Sequence, residues 1–152
     1  MARGWVLDTN VVSELRKGVR CNRAVRSWAE GVSPVACYLS RVTVAEIRLG
    51  IERVSDPGFR AELESWLQDG VRLWFGDRIL DIDEETLLIW RRLVHDGQKA
   101  GYTYAQPDAL IAATAKAHDL GVVTRNVGDF RYAGVPVFDP WIGRPPEIGA
   151  TV

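Results

Sequence analysis

The feature that most constrains the fold is a regular alternation between short apolar runs and longer segments with helical periodicity. Short apolar runs bounded by turn residues are typical of buried strands. Apolar residues that recur every three or four positions are typical of amphipathic helices. Strands that alternate with helices form a parallel sheet with helices on its faces. The sequence therefore predicts an α/β fold, with a central parallel β-sheet flanked by helices in an α/β/α sandwich.

The predicted elements follow this alternation along the chain, and capping residues, prolines and glycines mark their ends. At Asp56-Pro57, for example, a capping aspartate precedes a proline that suits the first helical turn. We predict strands at residues 5–7, 35–39, 122–124 and 135–138, with two further strand pieces at 72–75 and 78–80. We predict helices at residues 10–17, 22–30, 40–54, 57–70, 83–101 and 106–120.

The length and composition bound the domain organisation. A chain of 152 residues is long enough for one domain with a real core and too short for two. We expect a single domain at residues 1–141 and a Pro- and Gly-rich tail at 142–152, lying over the surface or partly disordered. No apolar run approaches the length of a transmembrane helix, and the N-terminal apolar stretch is too short for a secretory signal. We therefore expect a cytoplasmic protein.

Several common kinds of site are absent from the sequence. Cys21 and Cys37 form neither a C-x-x-C metal pair nor a disulfide framework, and we expect reduced thiols. The G-x-S-x-G, H-E-x-x-H and Walker-type patterns do not occur. The net charge of −1 provides no overall field that attracts nucleic acid. Arginines suited to phosphate contacts do cluster early in the chain and at Arg41 and Arg48, although a solvated helix face explains them equally well.

The stretch WVLDTN, residues 5–10, places a carboxylate directly after an apolar run. Burying an unpaired carboxylate costs free energy. Asp8 is therefore either a turn residue at the surface or a buried group whose charge is compensated. In the second case, Thr9 and Asn10 are candidates for donors that orient it.

Three further acids occupy equivalent places in the predicted topology. Glu46 lies in the first turns of the helix after the second strand, and Asp108 lies in the first turn of the alanine-rich helix. Asp129 lies in the loop after the strand at 122–124. Crossover helices begin at the carboxyl edge of a parallel sheet, where ligands bind. We therefore expect these three carboxylates to converge there with that of Asp8.

Four clustered carboxylates repel one another more strongly than helix dipoles stabilise them. Either their pKa values rise or a divalent cation neutralises them. A site made only of oxygen ligands suits Mg²⁺ or Mn²⁺, and such ions activate water for attack on a phosphate. Taken singly, each acid is also explained as a helix cap, a solvated side chain or a turn residue. Asp81, at the end of a predicted strand, is the strongest competitor for a site role.

Four motifs in a fixed order carry a resemblance to a known family. They are VLDTNVVSEL, TVAEIRLGIER, DALIAATAKAHDLGVVTRNVGDF and a Pro-Trp near the end, and together they span residues 5–141. This set resembles the PIN-domain ribonucleases, and within them the VapC- and FitB-like toxins of bacterial type II toxin–antitoxin systems. The sequence departs from the family pattern where Asp139 replaces the more usual asparagine of Asn-Pro-Trp.

The resemblance implies a PIN-like fold over residues 1–141 and a set of roles for individual residues. It implies that Asn10 helps the first acid and that Thr124 and Asn126 support the last. The acids that it implies as catalytic and metal-binding residues are Asp8, Glu46, Asp108 and Asp129.

The resemblance also implies an activity, a cofactor and partners. Such toxins are Mg²⁺- or Mn²⁺-dependent endoribonucleases, commonly homodimeric, that attack structured RNA such as tRNA or rRNA. A cognate antitoxin of the VapB or FitA type blocks the site with its C-terminal segment, and operator DNA is bound only through the antitoxin. We expect Asp8 and Asp108 to hold the principal ion. Glu46 and Asp129 would complete its coordination or position water and a second ion, and Arg48 would contact RNA phosphates.

Two other functions fit part of the pattern. A haloacid-dehalogenase-like phosphatase with Asp8 as the nucleophile requires Asp-x-Asp, and this chain has Asp-x-Asn. A non-catalytic, PIN-like partner-binding module would leave the acids solvated. The module hypothesis predicts no specific binding of Mg²⁺ or Mn²⁺, whereas the nuclease hypothesis predicts binding that is lost in Asp8→Asn.

Overall fold

A computed structural model describes residues 2–143. Five parallel strands form one sheet in the order β3-β2-β1-β4-β5, which confirms the predicted α/β class. Residues 144–152 of the predicted tail lie outside the described residues. The strands are β1 (Trp5–Leu7), β2 (Cys37–Ser40), β3 (Ile79–Leu80), β4 (Gly121–Val123) and β5 (Val137–Phe138).

Helices connect the strands, and three of the seven helices among residues 2–143 begin after a predicted capping residue. Asn22, Asp56 and Asp83 accept backbone hydrogen bonds at the starts of α2, α4 and α6. The third helix begins at Arg41, within the predicted range 40–54, because Ser40 caps it. The helices are α1 (Thr9–Leu15), α2 (Arg23–Gly31), α3 (Arg41–Glu52), α4 (Pro57–Ser65), α5 (Arg72–Phe75), α6 (Glu84–Lys99) and α7 (Gln106–Ala117).

The predicted strand piece at residues 72–75 is wrong, because this segment is the helix α5. The predicted helix at 57–70 is also not continuous, since a π-helical stretch, Trp66–Val71, connects α4 to α5. Leu67, Val71 and Phe75 recur every four residues, and all three are buried in one core cluster. On a strand Leu73 would share the buried face of Val71 and Phe75, but Leu73 is exposed, as a helical spacing requires.

The sheet is buried on both faces, as parallel sheets usually are. Trp5 and Leu7 of β1 point into a core cluster that contains residues of α1, α2 and α3. Val6 points to the opposite face, where the cluster contains residues of α6 and α7. Alanines make up most of the buried face of α7, so this helix lies close to the sheet. Among the helices within residues 2–143, none is long and apolar enough to cross a membrane.

The carboxyl edge of the sheet brings together residues that are far apart in the sequence. Leu7 of β1 pairs with Val123 of β4 in the parallel ladder. The backbone N–H of Asp8 donates to the carbonyl of Val123 at 2.9 Å, which extends the pairing by one step. Asp8 and Thr124, the residues that follow the two strands, therefore lie next to each other.

Candidate active site

Asp8 ends β1, caps α1 and has only 7% of its surface exposed. Its Oδ1 accepts a hydrogen bond from the backbone N–H of Thr9 at 2.8 Å. Its Oδ2 accepts one from the hydroxyl of Thr124 at 2.8 Å and one from the amide of Asn10 at 3.3 Å. The carboxylate is thus buried, held in one orientation and surrounded by neutral donors.

Thr124 connects Asp8 to the loop after β4. Its hydroxyl oxygen accepts hydrogen bonds from the backbone N–H of Asn126 at 3.0 Å and from the side chain of Asn10 at 3.4 Å. The one hydroxyl proton is therefore directed at Asp8. The resemblance assigned Thr124 and Asn126 to the last acid. In the structure the hydroxyl of Thr124 bonds to Asp8, and the carbonyl of Asn126 accepts from the backbone N–H of Asp129 at 3.0 Å.

Asp8 and Asp129 lie close enough to Asp108 for their charges to act on it, and the charge of Asp129 also acts on Asp8. Asp108 is in the first turn of α7, Asp129 is in the 3₁₀ turn Val127–Phe130, and both are half-buried. Burial, reinforced by the charges of Asp8 and Asp129, raises the pKa of Asp108 to about 6. Burial also raises the pKa of Asp8, against the hydrogen bonds from Thr124 and Thr9, and the charge of Asp129 adds to the rise. The three carboxylates therefore form one electrostatic group, which we call the aspartate group.

The aspartate group lacks a cationic partner among residues 2–143, since none of the ion pairs there involves Asp8, Asp108 or Asp129. Carboxylates in this situation gain stability from a proton or from a cation. Within the same residues, no three acidic, cysteine or histidine side chains are already arranged as a ligand cluster. The donor chemistry nevertheless fits Mg²⁺ or Mn²⁺, because these ions prefer carboxylate oxygens and keep several water ligands.

Glu46 and Arg48 lie on the exposed side of α3. Neither forms an ion pair within the described part of the chain. The charge of Glu46 is not among the causes that shift the pKa of Asp8 or of Asp108. The structure therefore groups three of the four predicted acids, and the roles of Glu46 and Arg48 stay predictions.

Asp81, the competing acid, forms an exposed ion pair with Arg41, in which Nε and Oδ1 are 2.7 Å apart. Such surface pairs contribute little to stability. A solvated acid with its own arginine does not belong to the aspartate group, so Asp81 provides a matched control for experiments on it.

Sequence reasoning missed Tyr102, which lies in the loop between α6 and α7. Its hydroxyl donates to the backbone carbonyl of Asp129 at 3.1 Å, so it helps to fix the turn that carries this acid. Burial, followed by the charges of Asp129 and Asp108, raises the pKa of Tyr102. The available signal was the aromatic pair in Gly-Tyr-Thr-Tyr, residues 101–104, just before the helix that carries Asp108.

Asp139, which replaces the asparagine of the family's Asn-Pro-Trp, forms the hydrogen bond of a local turn. Oδ1 of Asp139 accepts a hydrogen bond from the backbone N–H of Trp141 at 2.8 Å. The side-chain oxygen of an asparagine accepts the same bond. The replacement therefore leaves the hydrogen bond that shapes this turn available.

Comparison with known families and curated relatives gives a consistent picture. The family described as the PIN domain matches residues 5–135. The chain is 38% identical to Toxin FitB from Neisseria gonorrhoeae over 136 residues, which cover 90% of this chain and 97% of that protein. It is 35% identical to VapC ribonuclease Y4jK from Sinorhizobium fredii over 136 residues, which cover 90% of this chain and 96% of that protein.

A solved structure has the same fold at a similar level of identity. The crystal structure of FitAcB from Neisseria gonorrhoeae superposes with a TM-score of 0.85 and 37% identity, covering 91% of this chain and 99% of that one. The structure of DNA-bound VapBC from Salmonella typhimurium gives a TM-score of 0.71 at 23% identity, over 92% of this chain and 99% of that one. At 23% identity the second comparison supports the fold alone.

Proposed function

This chain belongs to the PIN-domain family, and from that premise we propose that it is the endoribonuclease toxin of a type II toxin–antitoxin system. The relatives named as a toxin and as a VapC ribonuclease support this activity. The observation that carries the proposal is the aspartate group. The charges of Asp8 and Asp129 add to the rise in the pKa of Asp108, the charge of Asp129 adds to that of Asp8, and all three acids lie at the edge of a parallel sheet where ligands bind.

The proposed cofactor is Mg²⁺ or Mn²⁺. Asp8 and Asp108 would hold the principal ion, and Glu46 and Asp129 would complete its coordination or position water and a second ion. When bound, the ion lowers the pKa of a water ligand and stabilises the charge that develops on the phosphate. Thr124 and Asn10 keep the carboxylate of Asp8 in one orientation before any ion arrives, which reduces the entropy lost on binding.

The proposed partners are an RNA substrate and an antitoxin. The substrate would be structured RNA such as tRNA or rRNA, with phosphates held in part by Arg48. An antitoxin of the VapB or FitA type would cover the aspartate group, and the toxin would be a homodimer within the hetero-oligomer. Operator DNA would be bound only through the antitoxin. A solved structure described as FitAB bound to a DNA fragment, in which the matching chain is 36% identical to this one, supports such an assembly.

The test is RNA cleavage in Mg²⁺ or Mn²⁺ by the wild type and by Asp8→Asn and Asp108→Asn. Each variant removes a proposed metal ligand at almost constant volume. The loss of cleavage rate should therefore exceed the roughly 10–100-fold loss that follows removal of an outer-shell partner. Mapping the RNA ends produced by the wild type and by Asp108→Asn identifies the cut site.

Asp81→Asn is the matched control, because it makes the same chemical change at an acid outside the aspartate group. It should cut at the wild-type rate. Calorimetry should detect binding of Mg²⁺ or Mn²⁺ to the wild type and none to Asp8→Asn. The assignment fails if Asp8→Asn or Asp108→Asn cuts RNA as fast as the wild type. A wild type that binds neither ion would instead favour a non-catalytic module.

A further inference from the structure

Three tyrosines lead from the core to the surface beside the aspartate group. Tyr104 is buried, Tyr102 is half-buried, and Tyr132 is 51% exposed. The ring centroid of Tyr102 lies 4.8 Å from that of Tyr104 and 5.0 Å from that of Tyr132. The outermost ring therefore rests on a supported neighbour and keeps about half of its surface in solvent.

This row of rings borders the acids directly. The hydroxyl of Tyr102 donates to the backbone carbonyl of Asp129, and the charges of Asp129 and Asp108 both act on that hydroxyl. Tyr132 follows Asp129 by three residues, just beyond the 3₁₀ turn. The exposed ring of Tyr132 therefore lies beside the turn that carries Asp129.

The two tyrosines beneath the Tyr132 ring are fixed to α6 before any ligand binds. The backbone N–H of Tyr102 donates to the carbonyl of Gly97 in α6 at 2.7 Å. The ring of Tyr104 packs so closely on Gly97 that a Cβ there would lie 2.9 Å from the ring. The loop is thus fixed to α6, and stacking on Tyr132 would cost little additional ordering of the protein.

Arg131 adds a positive charge at the same place. Its guanidinium carbon lies 5.4 Å from the ring centroid of Tyr132, and its Nε donates to the carbonyl of Gly128 at 3.2 Å. It forms no ion pair with an acid among residues 2–143. An arginine without an acidic partner, beside a group of carboxylates, suits a phosphate that those carboxylates would otherwise repel.

Building on the proposed function, we propose that Tyr132 and Arg131 form a nucleotide subsite, in which the Tyr132 ring stacks on an unpaired RNA base and Arg131 holds an adjacent phosphate. A base can stack on a side chain only when it has left its own helix. The subsite therefore selects RNA in which an unpaired nucleotide lies next to the cleaved bond.

Binding in the absence of metal tests the subsite separately from catalysis. The probes are an RNA hairpin with an unpaired loop and a fully paired duplex with the same stem. In the Asp8→Asn background with a chelator present, Tyr132→Ala should bind the hairpin about tenfold more weakly, the loss typical of one stacked base. Binding to the duplex should not change. Tyr132→Phe should bind like its parent, because phenylalanine keeps the aromatic face.

Arg131→Gln should also weaken hairpin binding. It should reduce the slope of log affinity against log salt by about 0.7, as expected for one lost contact with a single-strand phosphate. Phe59→Ala is the matched control, since Phe59 is an exposed aromatic on α4 with Arg16 at 5.8 Å from its ring centroid. This variant should bind both RNAs like its parent.

The outcomes separate the two proposals. The subsite is overturned if Tyr132→Ala binds the hairpin with unchanged affinity. It is also overturned if Tyr132→Ala has a native fold by circular dichroism and loses affinity for the hairpin and the duplex equally. Wild-type cleavage in Mg²⁺ would leave the proposed function standing in that case. A wild type that neither binds nor cuts RNA overturns both. The remaining test is 2-aminopurine fluorescence in the loop, which binding should quench with Tyr132 and Tyr132→Phe but not with Tyr132→Ala.

Discussion

Asp108 is a residue whose ionised form the fold disfavours. Burial, together with Asp8 and Asp129, raises its pKa to about 6, well above the ordinary value of an aspartate. A group whose pKa is raised in the folded state stabilises the fold below its ordinary pKa, and this contribution is lost as the pH rises through the folded value. In the metal-free protein, ionised Asp108 therefore lowers the free energy of unfolding above pH 6.

Replacing Asp108 with asparagine should accordingly stabilise the metal-free protein at pH 7.5 while it abolishes cleavage. The expected gain in unfolding free energy is on the order of 1–2 kcal/mol, allowing for the partial exposure of the side chain. Urea denaturation at pH 5 and pH 7.5 with a chelator present measures it. The stability difference between variant and wild type should be larger at pH 7.5. A variant that is less stable than the wild type at pH 7.5 would contradict this account.

At the residue scale, the sequence indicated that the charge of a buried Asp8 must be compensated. It did not identify all of the hydrogen-bond donors that do so. Thr9 and Asn10 were identifiable because they adjoin Asp8 in the chain. The hydroxyl of Thr124 is 116 residues away and reaches Asp8 only because β1 and β4 are paired. Contacts of this kind depend on strand order, which the sequence pattern left open.

At the scale of elements, the contact between α6 and the loop that precedes α7 determines where Asp108 and Tyr102 lie. Gly97 is buried on α6 where Tyr102 and Tyr104 cross it, and a Cβ would lie 3.0 Å from the carbonyl of Tyr102. A glycine inside a helix normally destabilises it by about 0.5–1 kcal/mol relative to alanine. At position 97 the loop approaches α6 so closely that glycine is favoured over alanine despite this cost to the helix.

Gly97→Ala should therefore lower the unfolding free energy by about 1–3 kcal/mol, the usual cost of overpacking a filled site. Gly50→Ala in α3 is the matched control, because no atom lies within 4 Å of the added Cβ there. That change should raise the unfolding free energy by about 0.5–1 kcal/mol. Denaturant titration of both variants measures the two effects. If both substitutions stabilise the protein, the packing argument at Gly97 is wrong.

The sequence predicted most elements because their signals are local. Caps such as Asn22 and Asp83 mark helix starts through bonds to residues two or three positions away. The segment 72–75 was misassigned because four residues do not distinguish a period of two from a period of four. Its helical period becomes visible only when Leu67 and Val71 are counted with Phe75.

At the scale of the whole molecule, the strand order explains how distant acids come to share one place. β1 lies at the centre of the sheet between β2 and β4, so Asp8 leaves the sheet beside the loop that follows β4. That loop leads into the turn with Asp129, and the helix before β4 carries Asp108 in its first turn. The fold thus concentrates negative charge at one edge of a molecule whose net charge is only −1.

A dication that binds this edge should stabilise the whole fold, because it binds the native chain and not the unfolded one. At a concentration of 100 times Kd, one site adds about 2.7 kcal/mol to the unfolding free energy. Mg²⁺ or Mn²⁺ should therefore raise the melting temperature of the wild type and of Asp81→Asn. Asp8→Asn should show little change, since it retains the fold but loses a ligand. Thermal melts with and without a chelator measure the shift. Equal shifts in wild type and Asp8→Asn would mean that the ion binds elsewhere. In that event something other than this ion would have to offset the repulsion among Asp8, Asp108 and Asp129.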